Sequence, residues 1–446
     1  MSGKVSVIGL GKLGSPLAAC LAAKGYSVVG VDTDAKKVEA LREGRAPVIE
    51  TGLAEMIRGA KERLTATEDI GYAVAESEIT FVVVATPSEP DGGFSLRYAV
   101  PVCEAIGKAL KAKKDFHVVV ITSTVMPGMT GGPLRKALEE ASGKKAGVDF
   151  GLCYGPEFIA LGSVIRDFLN PDFVLVGESD VRSGEILEKL YAKVCDNAPH
   201  VARMNLINAE ITKLSVNTFV TTKISFANML ARMCERLPGA DVDVVTGALG
   251  LDTRIGKKYL KGAVSYGGPC FPRDNHALAA LAREVGAPAD LAKTTDVFNR
   301  AQIQWLADTA TEHAKGEAIG ILGLTYKPET DVVEEAAGYL LAQELVKRGA
   351  KVIAYDPAGR ANAARALDGK VTFAANAKEC IEKSGTVAVT TPWKEFYEVP
   401  DAVWARSGVP RTVVDCWRGL KRLERAEGVK YVGLGVSGPG KMTQAV

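Results

Sequence analysis

The chain carries almost no net charge: 55 Lys and Arg stand against 53 Asp and Glu, leaving +2 at neutral pH over 446 residues. That balance supplies no field to recruit nucleic acid or an anionic membrane, and no basic run does so locally. Long hydrophobic runs are lacking as well, since none approaches the ~18 apolar residues of a membrane span. The eight cysteines, at positions 20, 103, 153, 195, 234, 270, 380 and 416, form no Cys-x-x-Cys pair. Their scatter argues against a zinc ribbon or a disulfide framework, gives no metal site, and fits a reducing cytoplasm. Met1 runs straight into Val5-Ser6-Val7-Ile8 without the basic and apolar regions of a leader. What remains is an ordinary globular composition, 47% hydrophobic and 24% charged, in a chain too long for one core. Two or three domains and a small-molecule partner are expected.

The expected fold class is α/β: two Rossmann-like doubly wound domains joined by a central helical domain with a long spine helix. Boundaries are set at 1–200, 201–312 and 313–446. The first domain opens with a β-branched run from Lys4 to Leu10, then Gly9-Leu-Gly11-Lys-Leu13-Gly14, a helix from Pro16 to Lys24, and a strand from Ser27 to Val31 ending at Asp32. Strand, glycine turn, helix, strand and acid follow in the order of a dinucleotide-binding unit. The glycines admit the pyrophosphate to a helix N-terminus and the acid receives the ribose hydroxyls. The competing reading of the glycines is tight helix–sheet packing. A carboxylate at 32 would repel a 2′-phosphate, which favours NAD over NADP, with Lys36 and Lys37 close by. Further strands are expected at Ile79–Ala85, Val118–Thr122 and Phe150–Cys153, separated by helices at Tyr98–Lys111 and Gly131–Ala141, in a parallel sheet. Three polar clusters then fall at strand ends, where such sheets bind ligands: Thr86-Pro87-Ser88, Ser123-Thr124-Val125 and Gly155-Pro156-Glu157.

From Asn208 to about Leu237 the pattern is one long helix, the kind that forms a spine or a subunit interface, so a homo-oligomer is expected. Lys213 and Asn217 lie one turn apart on it, among Leu214, Val216, Phe219 and Val220, which would leave a buried amine and amide needing partners. Asp252-Thr-Arg254-Ile-Gly256 offers an arginine suited to a phosphate or a sugar hydroxyl, or simply a surface residue. Tyr266-Gly-Gly-Pro-Cys270-Phe-Pro-Arg-Asp274 places a cysteine in a glycine- and proline-rich turn that lets backbone approach a ligand. Asp274 shares its side if a helix starts near Pro272. The alternative is a buried, inert thiol. After a helical link from Asp290 to Lys315, strands return at Ala318–Leu324, Lys351–Ala354, Val387–Thr391 and Thr412–Asp415. The first turn of this second domain lacks the full glycine fingerprint, so it is expected to hold the other ligand, with Lys327 and Arg418 as cations fitted to a diphosphate, each equally readable as an exposed charge. Fraying is expected from Ser437.

Together these motifs resemble the UDP-glucose/GDP-mannose dehydrogenase family over essentially the whole chain and in the same order. The resemblance is carried by Val7–Gly14, Gly30–Asp34, Glu50-Thr-Gly-Leu53, Ser123-Thr-Val125, Pro156-Glu-Phe158, Asp167-Phe168, Ala209–Lys213 with Asn217, Lys223–Phe226, Asp252–Gly256, Gly267–Asp274 and Tyr326-Lys-Pro328. It implies a cytosolic enzyme that oxidises the C6 alcohol of a nucleotide sugar to a carboxylate with two NAD and one water. It further implies that Cys270 traps the intermediate aldehyde and carries it as a thioester, while Lys213 and Asn217 stabilise the oxyanion. Asp274 and Thr124 would position water, and Glu157 would act as base in hydrolysis. Gly9, Gly11, Leu13, Gly14, Asp32, Lys37, Thr86 and Thr124 would bind cofactor. Glu157, Phe158, Lys213, Asn217, Tyr266 and Gly267 would line the substrate, with Lys327 on its nucleotide and Arg254 on its sugar, in the same or a neighbouring subunit of a homodimer or larger homo-oligomer.

The chain departs from the family pattern in four places. Ile159-Ala-Leu161-Gly162 stands where Leu-Arg-Glu-Gly is usual, removing a second acid. Glu334 replaces an arginine expected near the cofactor, Pro269 and Arg273 replace Ser and Lys around the cysteine, and Cys416-Trp417-Arg418 replaces Gly-Arg. The cysteine loop is nearer the UDP-glucose version than the Gly-Gly-His-Cys version of the N-acetylmannosamine branch, which supports UDP-glucose. GDP-mannose, another UDP-sugar, or a nucleotide-sugar-binding protein without turnover are the alternatives.

Overall fold

In a computed structural model, residues 3–367 and 369–437 are described. They form two compact units, Met1–Ser215 and Val216–Val446. The first is built on strands β1 (Lys4–Ile8), β2 (Ser27–Val31), β3 (Leu64–Thr67), β4 (Ile79–Val82), β5 (Val118–Ile121), β6 (Gly151–Tyr154), β7 (Phe173–Glu178) and β8 (His200–Asn205). Their order is β3-β2-β1-β4-β5-β6-β7-β8. Val118-Val-Val-Ile121 and Ile79-Thr-Phe-Val82 are buried along their whole length, because helices cover both faces of a parallel sheet. The Gly14–Ala23 helix shows the same logic, with Leu17 and Leu21 at 1% and 0% exposure, each burial contributing about 1.5–3 kcal/mol.

The expectation of a wholly parallel sheet needs one correction. β7 runs antiparallel to β6, with Cys153 opposite Glu178 and Tyr154 opposite Gly177. The 155–172 connection leaves the C-terminal end of β6 and re-enters the sheet from that same end, so it stays where ligands bind in such sheets. The expected Gly131–Ala141 helix also differs: it opens with a wide π turn, Thr130–Leu134, containing Pro133, and continues as Arg135–Ser142. Proline cannot donate to a helical ladder, which accounts for the irregular start.

The division between the units falls inside a single helix, Leu206–Cys234, of 29 residues. Beyond it the second unit carries helices Val242–Leu249, Phe271–Glu284 and Asp290–Ala314. Then follow strands β9 (Ile319–Leu322), β10 (Val352–Tyr355), β11 (Thr372–Phe373), β12 (Thr386–Val389), β13 (Arg411–Asp415) and β14 (Val429–Gly433). Their order, β11-β10-β9-β12-β13-β14, is parallel throughout. It repeats the 3-2-1-4-5-6 arrangement of the first six strands, so the architecture is two doubly wound Rossmann sheets with a helical segment between them in sequence. The fraying expected from Ser437 onward falls on residues 438–446, outside the described residues; Ser437 itself accepts the Gly239 N–H at 2.8 Å.

Candidate active site

In the first unit, each glycine of the opening turn has a separate task. Gly9 has φ +100, and a Cβ there would sit 2.2 Å from the Val83 carbonyl oxygen. At Gly14 a Cβ would come within 1.7 Å of the Gly9 oxygen, so helix and turn could not close. Gly11 faces open space, which is where a pyrophosphate would approach the N-terminus of the Gly14–Ala23 helix. Leu13 sits at the cap position of that helix. Asp32, at the end of β2, accepts the Leu10 N–H at 2.7 Å and the Asp34 N–H at 2.9 Å. Lys37 reaches its Oδ2 at 3.3 Å, so this lysine neutralises the ribose-position acid. The turn, helix start and acid together fit a bound NAD.

Two further strand ends meet beside this turn's sheet. Ser123 donates to the Val84 carbonyl at 2.6 Å and accepts the Val84 N–H at 2.9 Å. Thr86 donates to the Thr124 carbonyl at 2.7 Å, so the β4 and β5 exits are held together. Beyond β6, Tyr191 donates its hydroxyl to Glu157 Oε1 at 2.9 Å, and Lys213 Nζ donates to the Glu157 backbone carbonyl at 2.8 Å. The same ammonium stands 4.5 Å from the centre of the Phe158 ring, which itself packs on Phe173 at 4.8 Å. Glu157 is partly covered as a residue, but its carboxyl is enclosed, and burial pushes its pKa up to about 7 against the lowering effects of Tyr191 and Lys213. A carboxyl poised there can accept a proton at neutral pH. Where the second family acid is missing, the Leu161–Gly162 loop is held by Glu50, which accepts the Gly162 and Val164 N–H groups at 2.8 and 3.0 Å.

In the second unit, seven cysteines of the chain's eight being buried elsewhere, Cys270 is exposed. It forms the cap of the Phe271–Glu284 helix, with Pro272 in the first turn, and its carbonyl accepts the Asp274 N–H at 2.8 Å. Asp274 is 1% exposed and its Oδ2 accepts from Asn217 Nδ2 at 2.6 Å. The loop before the cysteine is pinned by two asparagine clamps. Asn228 binds the Ala263 N–H and the Val264 carbonyl at 2.7 and 2.9 Å. Asn299 binds the Tyr266 N–H and carbonyl at 2.8 and 3.0 Å. Tyr266 is buried and its hydroxyl accepts from Asn275 at 2.9 Å. Gly267 and Gly268 allow backbone to meet backbone: a Cβ at 267 would lie 2.2 Å from the Glu335 carbonyl, and one at 268 would lie 2.9 Å from the Tyr326 ring. The Tyr326-Lys327-Pro328 turn and the Glu334–Glu335 segment thus border the cysteine loop, and the Gly268 N–H donates to the Glu334 carbonyl at 3.0 Å.

Two expectations are corrected. Arg418 does not offer a free cation to a diphosphate: its side chain is 1% exposed and bound to Asp243 at 2.7 Å and to the Leu434 carbonyl at 2.7 Å. Arg254, 87% exposed and held by Asp252 at 2.6 Å, lies at the surface, which fits both a plain surface residue and a contact to the sugar of a neighbouring subunit. Phe219, expected among the buried surroundings of Lys213 and Asn217, is 67% exposed. Sequence reasoning missed Tyr191, Asn228 and Asn299. For Asn299 a signal existed: Thr295, Asn299 and Gln302 share one buried helical face with Ile303 and Leu306, and polar groups at core positions need partners. In the second sheet, Asp356 holds the position equivalent to Asp32. Its carboxylate already accepts the Leu324, Thr325, Ala358 and Gly359 N–H groups at 2.7–3.0 Å, which distinguishes this crevice from the first.

A doubly wound sheet with this glycine turn and acid, in a chain that also presents an exposed cysteine at a helix start, defines a dinucleotide-dependent oxidoreductase. The chain belongs to the UDP-glucose/GDP-mannose dehydrogenase family: the NAD binding domain matches residues 3–195, the central domain 207–301 and the UDP binding domain 320–422. NAD is its cofactor. A UDP-glucose 6-dehydrogenase of Haloferax volcanii is 35% identical, with 97% of this chain and 100% of that protein covered. A GDP-mannose 6-dehydrogenase of Azotobacter vinelandii is also 35% identical, but over 79% of this chain and 81% of that protein. The structure of a UDP-glucose dehydrogenase from Pyrobaculum islandicum matches with a TM-score of 0.89 at 33% identity, covering 98% of each chain. Among the described residues no helix is long and apolar enough to cross a membrane, and no group of three or more His, Cys, Asp or Glu is placed to hold a metal ion.

Proposed function

We propose that this chain is a UDP-glucose 6-dehydrogenase, oxidising C6 of the sugar from alcohol to carboxylate through a thioester on Cys270. The observation that carries the mechanism is the exposure of Cys270 alone among eight cysteines, beside the Asn217–Asp274 pair. The relatives that match nearly the whole chain support UDP-glucose over GDP-mannose. Bound NAD supplies a hydride acceptor for each of the two oxidations. The Cys270 sulfur adds to the aldehyde carbon while the carbonyl oxygen takes a proton, giving a thiohemiacetal that cannot escape; loss of the second hydride and of that hydroxyl proton leaves the thioester. Lys213 and Asn217 donate to the C6 oxygen while it bears negative charge. In hydrolysis, water bonds to the thioester carbon, Glu157 takes the water's proton, and the C–S bond breaks to release Cys270 as thiolate. Thr124 and Asp274 hold the water, Lys327 binds the nucleotide part, and Arg254 serves the sugar only if another subunit supplies the site.

The functional unit in this reading is a homodimer. Phe219, Phe226 and Met233 are 67%, 46% and 50% exposed on the Leu206–Cys234 helix. Seven-residue spacing puts them on one face, a stripe that a second copy of the same helix would cover.

The test is NADH formed per sugar consumed, with UDP-glucose, GDP-mannose and UDP-N-acetyl sugars each supplied as the limiting reagent. A ratio near two with UDP-glucose preferred is expected. A ratio near one would remove the thioester from the mechanism, and preference for GDP-mannose would reassign the substrate.

A further inference from the structure

The mechanism leaves one buried ionisable residue beside its base without a task. Tyr191, on the Val181–Val194 helix, is 2% exposed. Its ring packs edge-on against Phe168 at 6.3 Å, and its hydroxyl is delivered to Glu157 Oε1 at 2.9 Å. We propose that Tyr191 is a positioning residue for thioester hydrolysis: it occupies Oε1 of Glu157 and leaves Oε2 to take the proton from the attacking water. This inference rests on Glu157 being the hydrolytic base.

The physical argument is a competition between two large effects. Enclosing a carboxylate disfavours its charged form, and a proton donor aimed at the anion restores it. For Glu157, burial raises the pKa, and Tyr191 is the foremost of the groups that lower it. The other ionisable groups facing this carboxyl are Lys213, whose Nζ is held on the Glu157 backbone carbonyl, and the thiols of Cys20 and Cys195. Both thiols are pushed up, to about 12 and about 11, so they stay protonated through the working range. Tyr191 is itself driven well above the ordinary phenol value by burial and by Glu157, so it remains a donor at every pH at which the enzyme would act. A phenol that cannot ionise is a fixed dipole; it orients the base without competing for the proton. The proton balance is then simple. Water gives a proton to Oε2, its oxygen bonds to the thioester carbon, the C–S electrons return to sulfur, and Tyr191 keeps its hydrogen throughout.

Replacing the hydroxyl should therefore act on pH dependence, not only on rate. Tyr191→Phe is expected to move the acid limb of the kcat profile, measured with UDP-glucose and NAD, upward by about one pH unit, lowering kcat roughly fivefold near pH 7, about tenfold further down the limb, and recovering toward wild type at high pH, since one unit is tenfold in ionised fraction well below the pKa. The slowed hydrolysis should also appear as a rapid phase of NADH and as a sugar adduct on Cys270 detected by protein mass spectrometry. Introducing 3-fluorotyrosine at 191, a stronger donor of the same shape, should move the limb downward, and this variant decides the matter if the phenylalanine variant does not fold. Phe168→Leu, which disturbs the ring packing but not the hydrogen bond, should leave the limb in place. An acid limb unmoved in the fluorotyrosine enzyme, or an equal loss at all pH values in Tyr191→Phe, would overturn the proposal. Glu157→Gln separates the two claims. If it accumulates the adduct while the limb ignores position 191, only the role of Tyr191 fails; if it accumulates none, Glu157 is not the base and both fail.

Discussion

The Asn217 side-chain amide donates to Oδ2 of Asp274 at 2.6 Å, joining the long helix to the helix that begins at Cys270. In the proposed mechanism this pair would link an oxyanion donor to a water-holding acid, so neither orientation is independent of the other. Asp274→Asn replaces the acceptor by an amide of nearly the same shape and removes the charge that orders the Asn217 NH2 group. A fall in kcat of about 10²-fold is expected, with little change in KM, as for loss of an oxyanion-hole donor. Steady-state kinetics check this. A change of less than threefold would mean the pair only packs.

Arg418 gives a prediction of the opposite kind. Its guanidinium is bound to Asp243 at 2.7 and 2.8 Å and to the Leu434 carbonyl at 2.7 Å, from a residue with φ +60. Arg418→Met removes the partner of the Leu434 carbonyl and of Asp243, whose side chain is 36% exposed and can rehydrate, which should cost about 1–3 kcal/mol of stability. Thermal unfolding would register the loss, while KM for the nucleotide sugar at a temperature where the variant is folded should stay within about twofold, the size expected if no contact to substrate is removed. A large selective rise in KM would restore Arg418 as a diphosphate ligand.

These two contacts show where sequence reasoning reaches and where it stops. The Gly9–Gly14 turn with Asp32 is local: every element it needs lies within one βαβ unit, so order and spacing are enough. The long helix was equally legible, because thirty residues without proline leave few other conformations. The Asn217–Asp274 bond joins positions 57 apart, and only the acidic residue's place in the first turn of a helix hinted that it would turn back toward the cysteine. Arg418 was misread because a cation at a strand end looks the same whether it meets a ligand or an acid. Its partner, Asp243, lies 175 residues away, and pairings that distant leave no periodic trace in one sequence. The antiparallel β7 lies beyond the last strand read in this domain, and its direction depends on where the 155–172 connection turns, which composition does not encode.

Glu157 should make the fold sensitive to pH in a direction that can be worked out. Burial raises its pKa from the ordinary 4.5 to about 7. A raised folded-state pKa means that the protonated carboxyl is the form the fold prefers. The stability associated with it is therefore complete below about pH 4.5 and lost as pH rises through about 7. Glu157→Gln, which cannot ionise, should match wild type in acid and exceed it above pH 8 by on the order of 1–3 kcal/mol, from 1.36 kcal/mol per pKa unit. Unfolding curves at pH 5 and pH 8.5 would measure the difference. A variant less stable than wild type at pH 8.5 would show that the carboxylate, in its charged form, is held favourably by Tyr191 and Lys213. Such a gain in stability should accompany loss of turnover, as expected where a site maintains a group against its preferred state.

The apolar stripe on the Leu206–Cys234 helix leads to the remaining prediction. Exposure of 46–67% for Phe219, Phe226 and Met233 leaves aromatic and thioether surface in water, at about 25 cal/mol for each Å² that a partner could remove. Burying two such stripes against each other by a twofold axis satisfies both with one contact, because the same residues serve each copy. Wild-type protein should therefore sediment at a multiple of 47.2 kDa. Phe226→Asp places a charge at the centre of the stripe, twice in a symmetric dimer, and the paired like charges should shift the species to monomer at micromolar concentration. If activity falls with dissociation and returns at high protein concentration, the dimer is the working form. A wild-type protein that sediments as a monomer across that range would mean that the stripe is covered by something other than a second copy, and would withdraw the subunit-borne role given to Arg254.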